Sequence, residues 1–189
     1  MDLSNIIKAY DVRGIVPDDF DEAIAERIGA AFGAFVDAPE VIVGHDCRVS
    51  SPAIRDALIA GITGQGVNVR LIGEIPTDLL YYASGALSLP GVVITASHNP
   101  GEYNGLKFCQ PGAAPVGAET GLLEIRAMAE SGLERGSRIG TVVEADLRSG
   151  YVDHVLAATA AESIGALRIA VDGGNGMAGA ALPAVFDRL

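Results

Sequence analysis

The chain has 189 residues, 49% of them hydrophobic, and a positive mean hydropathy of +0.33. That is enough apolar material to bury a real core, in one domain or one and a part. Acidic residues outnumber basic ones, 24 to 13, for a net charge of -11. Such a surface repels phosphate backbones and anionic lipid, so neither nucleic acid nor membrane is expected as a partner, and an anionic ligand requires basic residues that converge locally.

The start, Met1-Asp2-Leu3-Ser4, lacks a basic region followed by an apolar stretch, so no signal peptide is expected. No run approaches the ~20 apolar residues of a membrane span. The expected location is cytoplasmic. Two cysteines, Cys47 and Cys109, have no C-x-x-C spacing and lie in apolar, strand-like stretches. They read as two reduced thiols rather than a disulfide or a zinc site.

After a short apolar start comes A-Y-D-V-R-G, residues 9–14. Phe20, Ile24, Ile28, Ala31, Phe32 and Phe35 then recur at helical spacing over 20–36. V-I-V-G (41–44) is a short strand. Ser51-Pro52 reads as an N-cap with proline at the first helical position, and Ile54, Leu58, Ile59 and Ile62 give that helix its buried face. Gly64 and Gly66 end it. Val67, Val69 and Leu71 alternate as in a strand, and Thr77 can cap a helix carrying Leu79, Leu80 and Ala83. An apolar strand over 91–95 breaks at T-A-S-H-N-P and resumes over 106–109; a further amphipathic helix covers 118–131.

Strands alternating with helices predict an α/β fold, a mixed, mostly parallel sheet with helices on both faces. From Gly132 to Gly150 the apolar periodicity lapses, which places a boundary between a first domain over 1–145 and a second unit over 146–189. That unit opens with a helix carrying Tyr151, Val155 and Leu156, then a strand, L-R-I-A-V-D (167–172), a glycine-rich turn and the start of another helix. One helix, one strand and part of a helix cannot cover both faces of a sheet. The second α/β unit is therefore expected to be incomplete, with apolar surface exposed around 167–189 through which two copies could pair.

Ligands of open parallel sheets bind beyond the carboxyl ends of the strands. Ser97, His98 and Asn99 follow one such end and Asp46 and Arg48 another; Asp11 and Arg13 follow the chain's apolar start, and Lys107 returns ten residues after Ser97. Two arginines and a lysine around an exposed serine suit a phosphate group. Taken alone, each feature also has a plain structural reading. Asn99-Pro100 is a turn signal. Arg13 can pair with Asp11, and Arg48 with Asp46. His45 reads as a satisfied, partly buried histidine, His154 as solvent-facing, and Tyr81-Tyr82 as core and rim packing. Gly174 to Gly179 satisfies G-x-G-x-x-G after the expected strand, which leaves a dinucleotide-dependent oxidoreductase as a remote alternative.

Four segments together resemble the α-D-phosphohexomutases. T-A-S-H-N-P-G-E-Y-N-G-L-K-F is similar to their phosphoserine loop and A-Y-D-V-R-G to their N-terminal signature. V-G-H-D-C-R-V-S-S-P resembles the next block, and V-D-G-G-N-G-M-A-G the opening of their second domain. Tyr10-Asp11-Val12-Arg13-Gly14 and Tyr103-Asn104-Gly105 resemble the phosphomannomutase/phosphoglucomutase branch, for its N-terminal portion.

The resemblance implies interconversion of hexose 1-phosphate and hexose 6-phosphate through a phosphoserine and a hexose 1,6-bisphosphate, with that bisphosphate as activator and Mg2+ as cofactor. Ser97 matches the phosphoryl carrier and one magnesium ligand. Tyr10 and Arg13 match positions near the phosphosugar and the phosphoserine. His98 and Lys107 match polar neighbours that hold the transferring phosphate and assist proton transfer, and Arg48 is a companion among the substrate-binding residues. By this resemblance the glycine-rich turn is not a dinucleotide site. The sequence has no D-G-D-x-D-R run for magnesium, no G-E-x-S-G-H segment for sugar hydroxyls and no R-x-S-G-T-E-P loop for a distal phosphate. The expectation is an N-terminal fragment, inactive as a mutase by itself. The alternative is a non-catalytic binding or regulatory piece derived from the first domain.

Overall fold

The computed structural model describes residues 1–159, 165 and 167–189. The elements in chain order are β1 (Val12–Ile15), α1 (Glu22–Phe35), β2 (Glu40–His45), α2 (Ser51–Gly64), β3 (Asn68–Glu74), α3 (Thr77–Leu87), β4 (Gly91–Ile94) and β5 (Tyr103–Gln110). They continue with the two-residue β6 (Ala114–Pro115), α4 (Leu122–Ser131), β7 (Val142–Glu144), α5 (Arg148–Thr159) and α6 (Ala178–Phe186). The strands form one mixed sheet in the order β1-β5-β4-β2-β3-β7, with β6 on β5.

β4, β2, β3 and β7 run parallel, while β5 is antiparallel to β4, β1 and β6. Connection length explains the reversal. A parallel neighbour needs a crossover of about a dozen residues or more, and the segment between Ile94 and Tyr103 is shorter than that. The chain therefore turns straight back beside the strand it has just left, with Ile94 opposite Leu106 and Val93 opposite Lys107.

Helices cover both faces, as expected. Val41 and Val43 of β2, Val92 and Ile94 of β4, and Leu106 and Phe108 of β5 pack against α1, α2 and α4. Ile42, Val93 and Cys109 point the other way, toward Leu79, Leu80 and Ala83 of α3. Burial on both faces is why these strands read as continuous apolar runs rather than alternating ones. The Asp21 side chain caps α1 by accepting from the Ile24 N–H at 2.8 Å. Gly29 and Gly61 let α1 and α2 touch: a Cβ on Gly61 would lie 2.0 Å from the Glu26 carbonyl oxygen.

Several local expectations change. Ser51 is not the cap of α2. Ser50 occupies that position without a side-chain capping bond, and Ser51, fully buried in the first turn, donates its hydroxyl to Asp46 at 2.6 Å. The low-periodicity stretch after Gly132 contains β7, which extends the sheet beside β3, with Val142 opposite Val69. Both β7 valines are about half exposed, at 47% and 55%, so the strand lacks the apolar signature of its neighbours.

Residues 167–172 form no strand. Leu167, Ile169 and Val171 are 71%, 58% and 50% exposed, and residues 167–172 pair with no strand among the described residues. Without a ladder partner, an apolar alternation does not become a strand. Cys47 is exposed in the loop after β2, not in apolar surroundings, whereas Cys109 is buried; both are free thiols. Among the described residues no helix is long and apolar enough to cross a membrane.

Candidate active site at the carboxyl edge of the sheet

The parallel strands β2 and β4 end side by side, and the segments that follow them meet. The Asp46 N–H donates to the Ile94 carbonyl at 2.9 Å, tying the exit of β2 to the end of β4. The Thr95 N–H donates to the Gly105 carbonyl, also at 2.9 Å, and closes the base of the loop between β4 and β5. From that base Ser97 and His98 project into solvent while Thr95 and Ala96 stay buried.

Ser97 holds a left-handed backbone with φ of 55°. Its N–H donates to the Thr95 hydroxyl at 2.9 Å, and the Asn99 N–H donates to the Ala96 carbonyl at 3.1 Å. These two bonds form a tight turn that lifts the serine above the strand ends. Ser97 Oγ lies 3.3 Å from His98 Nδ1, a long hydrogen bond between hydroxyl and imidazole. A cleft of about 790 Å³ opens over Ser97 and His98. Its other walls are Thr77 and Asp78 at the start of α3 and the turn at Asn175 to Met177.

The basic residues separate into two groups. On β1 and β5, Asp11 Oδ2 accepts from both Arg13 Nη2 at 2.6 Å and Lys107 Nζ at 3.0 Å. The other terminal nitrogen of Arg13 donates to Asn99 Oδ1, so this trio touches the serine loop. Arg13 Nε is buried and has no hydrogen-bond partner among the described residues. Antiparallel register sets this arrangement: Arg13 lies opposite Gly105, and Lys107 two residues on shares that pleat.

Arg48 forms the second group, paired with Asp46 at 3.2 Å and bonded to the serine loop. Both structural pairings read from the sequence, Arg13 with Asp11 and Arg48 with Asp46, therefore exist. Tyr10 stands apart, 81% exposed and hydrogen-bonded through its side chain to none of the other candidates.

His45 is 6% exposed and satisfied: Arg55 Nη1 donates to Nε2 at 3.0 Å and Nδ1–H donates to the Asp46 carbonyl at 2.9 Å. His154 is exposed and lies against Tyr82, ring centroids 5.3 Å apart. The G-x-G-x-x-G segment forms a turn before α6, with no strand ahead of it, so the strand–turn–helix context of a dinucleotide site is missing.

Sequence reasoning missed the buried polar network behind the loop. Asn104 Nδ2 donates to the hydroxyls of Ser50 and Ser51, at 2.9 and 3.0 Å, and Ser51 donates onward to Asp46. A signal existed in an asparagine placed within an apolar strand, because a fully buried amide requires partners. As for a metal, the described residues hold no cluster of three carboxylate, imidazole or thiol groups spaced to bind one. They do not make a magnesium cage. Of the ligand set implied by resemblance, Ser97 is the part that this chain would contribute.

Residues 4–135 match the family described as phosphoglucomutase/phosphomannomutase, alpha/beta/alpha domain I. The chain belongs to the phosphoglucomutase/phosphomannomutase family. It is 37% identical over 187 residues to a phosphomannomutase of Salmonella montevideo, covering 96% of this chain and 41% of the relative. It is 38% identical over 174 residues to a protein of Xanthomonas campestris pv. campestris named phosphohexose mutases, covering 91% and 39%. A solved phosphoglucomutase/phosphomannomutase family protein from Burkholderia thailandensis superposes with a TM-score of 0.83 at 32% identity, over 99% of this chain and 42% of that one. The chain thus spans about two-fifths of the length of the family members it matches, and its match is to their N-terminal portion.

Proposed function

We propose that this chain is the phosphoryl-carrying portion of a phosphohexomutase that interconverts hexose 1-phosphate and hexose 6-phosphate. The observation that carries the reading is Ser97, lifted on a strained turn at the sheet's carboxyl edge with its hydroxyl beside His98, in a chain of this family. In the forward half-reaction the phosphate on Ser97 passes to the free hydroxyl of the bound sugar monophosphate. The Oγ–P bond breaks as the sugar O–P bond forms, and the hydroxyl proton leaves to a base. This gives a hexose 1,6-bisphosphate. After the sugar reorients, Ser97 Oγ attacks its other phosphorus, and the serine is rephosphorylated as the isomeric monophosphate leaves.

His98 is the residue positioned to take or return the proton at Oγ. Arg13 and Lys107 supply positive charge for the transferring group, whose charge is spread over three oxygens. Tyr10, on an exposed turn, completes the proposed sugar-phosphate contacts. Magnesium belongs to the reading through Ser97 by resemblance, and no step above depends on it. The reading includes a cytoplasmic location, supported by the two free thiols.

The 189-residue chain by itself is proposed to have negligible mutase turnover. It contains no D-G-D-x-D-R, G-E-x-S-G-H or R-x-S-G-T-E-P segment. The testing experiment is a peptide mass spectrum before and after incubation with glucose 1,6-bisphosphate and magnesium. A phosphoryl group on Ser97, absent from Ser97→Ala, is expected. The thermal midpoint of that variant should stay within about 2 °C of wild type, because the side chain is exposed. A phosphoryl group on another residue, or none on Ser97, would overturn the carrier role. Robust conversion of hexose 1-phosphate by the pure chain in a coupled assay would overturn the inactivity.

A further inference from the structure

The sequence groups Arg48 with the phosphate-binding residues, but its bonding assigns it different work. A guanidinium has five N–H donors. Nε–H donates to Asp46 Oδ2 at 3.2 Å. Nη1 donates to the carbonyls of Pro100 and Tyr103, at 2.7 and 2.8 Å. Nη2 donates to the carbonyls of Ser97 and Asn99, at 2.9 and 2.8 Å. Five donors meet five acceptors, which leaves none for a phosphate.

Four of those acceptors are backbone carbonyls of one loop, residues 97–103, that cannot reach one another. The fifth is a carboxylate held from behind: Asp46 Oδ1 also accepts from the Ser51 hydroxyl at 2.6 Å and the Arg48 N–H at 3.0 Å. Ser51 and Asn104 in that network are fully buried.

We propose that Arg48 is a positioning residue, a strut that fixes loop 97–103 and the left-handed backbone of Ser97, and not a ligand of the phosphate. Its consequence for phosphoryl transfer rests on the reading of Ser97 as carrier; the strut itself does not. Planarity is essential to the role. A lysine could keep the pairing with Asp46, but a single ammonium cannot span two carbonyls on each side of the loop.

The test is amide hydrogen exchange on the full chain, followed by mass spectrometry, for wild type, Arg48→Lys and Arg48→Met. Charged hydrogen bonds of this kind are strong enough that their loss should speed exchange at Ser97, Asn99 and Tyr103 by about tenfold or more in both variants. Amides of α1 and α4 should be unaffected. Unchanged loop exchange in Arg48→Met, wild-type protection in Arg48→Lys, or an equal loss across α1, α4 and the loop would each overturn the strut.

Phosphoryl uptake from glucose 1,6-bisphosphate gives a second readout. A strut predicts a rate constant about tenfold lower at saturating bisphosphate with little change in the half-saturating concentration. A raised half-saturating concentration with the full rate recovered at saturation would identify a phosphate ligand and overturn the proposal. If wild type takes up no phosphoryl group, the carrier reading fails and the exchange pattern decides the strut alone.

Discussion

Ser97 occupies a backbone region that costs a non-glycine residue on the order of 1–3 kcal/mol and persists only where neighbours over-determine it. Here the neighbours are Thr95, which accepts from the Ser97 amide, and Arg48, which binds its carbonyl. The polar sequence after an apolar strand made the loop legible, and Ser97, His98, Arg13 and Lys107 stood out as side chains. The bonding of Arg48 was not legible, because four of its five partners are carbonyl groups that every residue carries. The two cysteines divide in the same way. Burial raises the Cys109 thiol above its ordinary value, keeping it protonated, while Cys47 is exposed at the cleft. A thiol reagent at neutral pH should therefore label Cys47 quickly and Cys109 only after unfolding. Two fast thiols in the folded chain would contradict the burial of Cys109.

At the scale of elements, β5 is the piece on which the site depends. It lies between β1 and β4, and close approach at Gly105 brings Arg13 and Ser97 to one edge. A Cβ at Gly105 would lie 2.0 Å from the Val12 carbonyl oxygen and 3.1 Å from that of Thr95. Gly105→Ala should cost about 2 kcal/mol in a urea unfolding experiment, because β1 must move. It should also slow uptake at Ser97, because Arg13 moves with β1. Unaltered stability would show that the sheet absorbs the methyl group.

A second junction joins α5 to α3, where the Tyr151 hydroxyl donates to Asp78 and its ring meets Tyr82 edge-on, centroids 5.9 Å apart. Burial first, then the adjacent Asp78 carboxylate, push the Tyr151 phenol above its ordinary value of 10.0. A raised folded-state value favours the neutral phenol. Its stabilisation is therefore complete below pH 10 and declines as pH rises beyond it toward the folded-state value. The difference in thermal midpoint between wild type and Tyr151→Phe should be constant from about pH 7 to 9 and shrink above pH 10. A gap that widens with alkali would reverse the assignment.

For the whole molecule, the core and the downstream segment differ in kind. The sheet is covered on both faces through residue 159, where Val152 of α5 is 4% exposed. Beyond it, Leu167, Ile169, Val171, Phe186 and Leu189 are all more than a third exposed, at 71%, 58%, 50%, 39% and 53%. Exposed apolar side chains in this number favour self-association or a covering partner. Sedimentation of the chain should show a concentration-dependent shift toward dimer that weakens in Ile169→Ser/Val171→Ser. A single monomer species at high concentration would remove dimerisation from the reading.

The sequence by itself determined the α/β class, the two-faced burial of the strands and the loop that bears Ser97. These rest on local chemistry: apolar periodicity, and polar residues placed at the end of an apolar run. The resemblance of its four motifs was also legible without coordinates. Tertiary structure decided what depends on partners distant in the chain. β5 reverses because its connection is too short to cross over. β7 joins the sheet despite exposed valines because the edge of β3 offers it a ladder. Residues 167–172 pair with no strand among the described residues. The bonds of Arg48 to the carbonyls of Ser97, Asn99, Pro100 and Tyr103 were likewise decided there, because only folding brings those acceptors to one place.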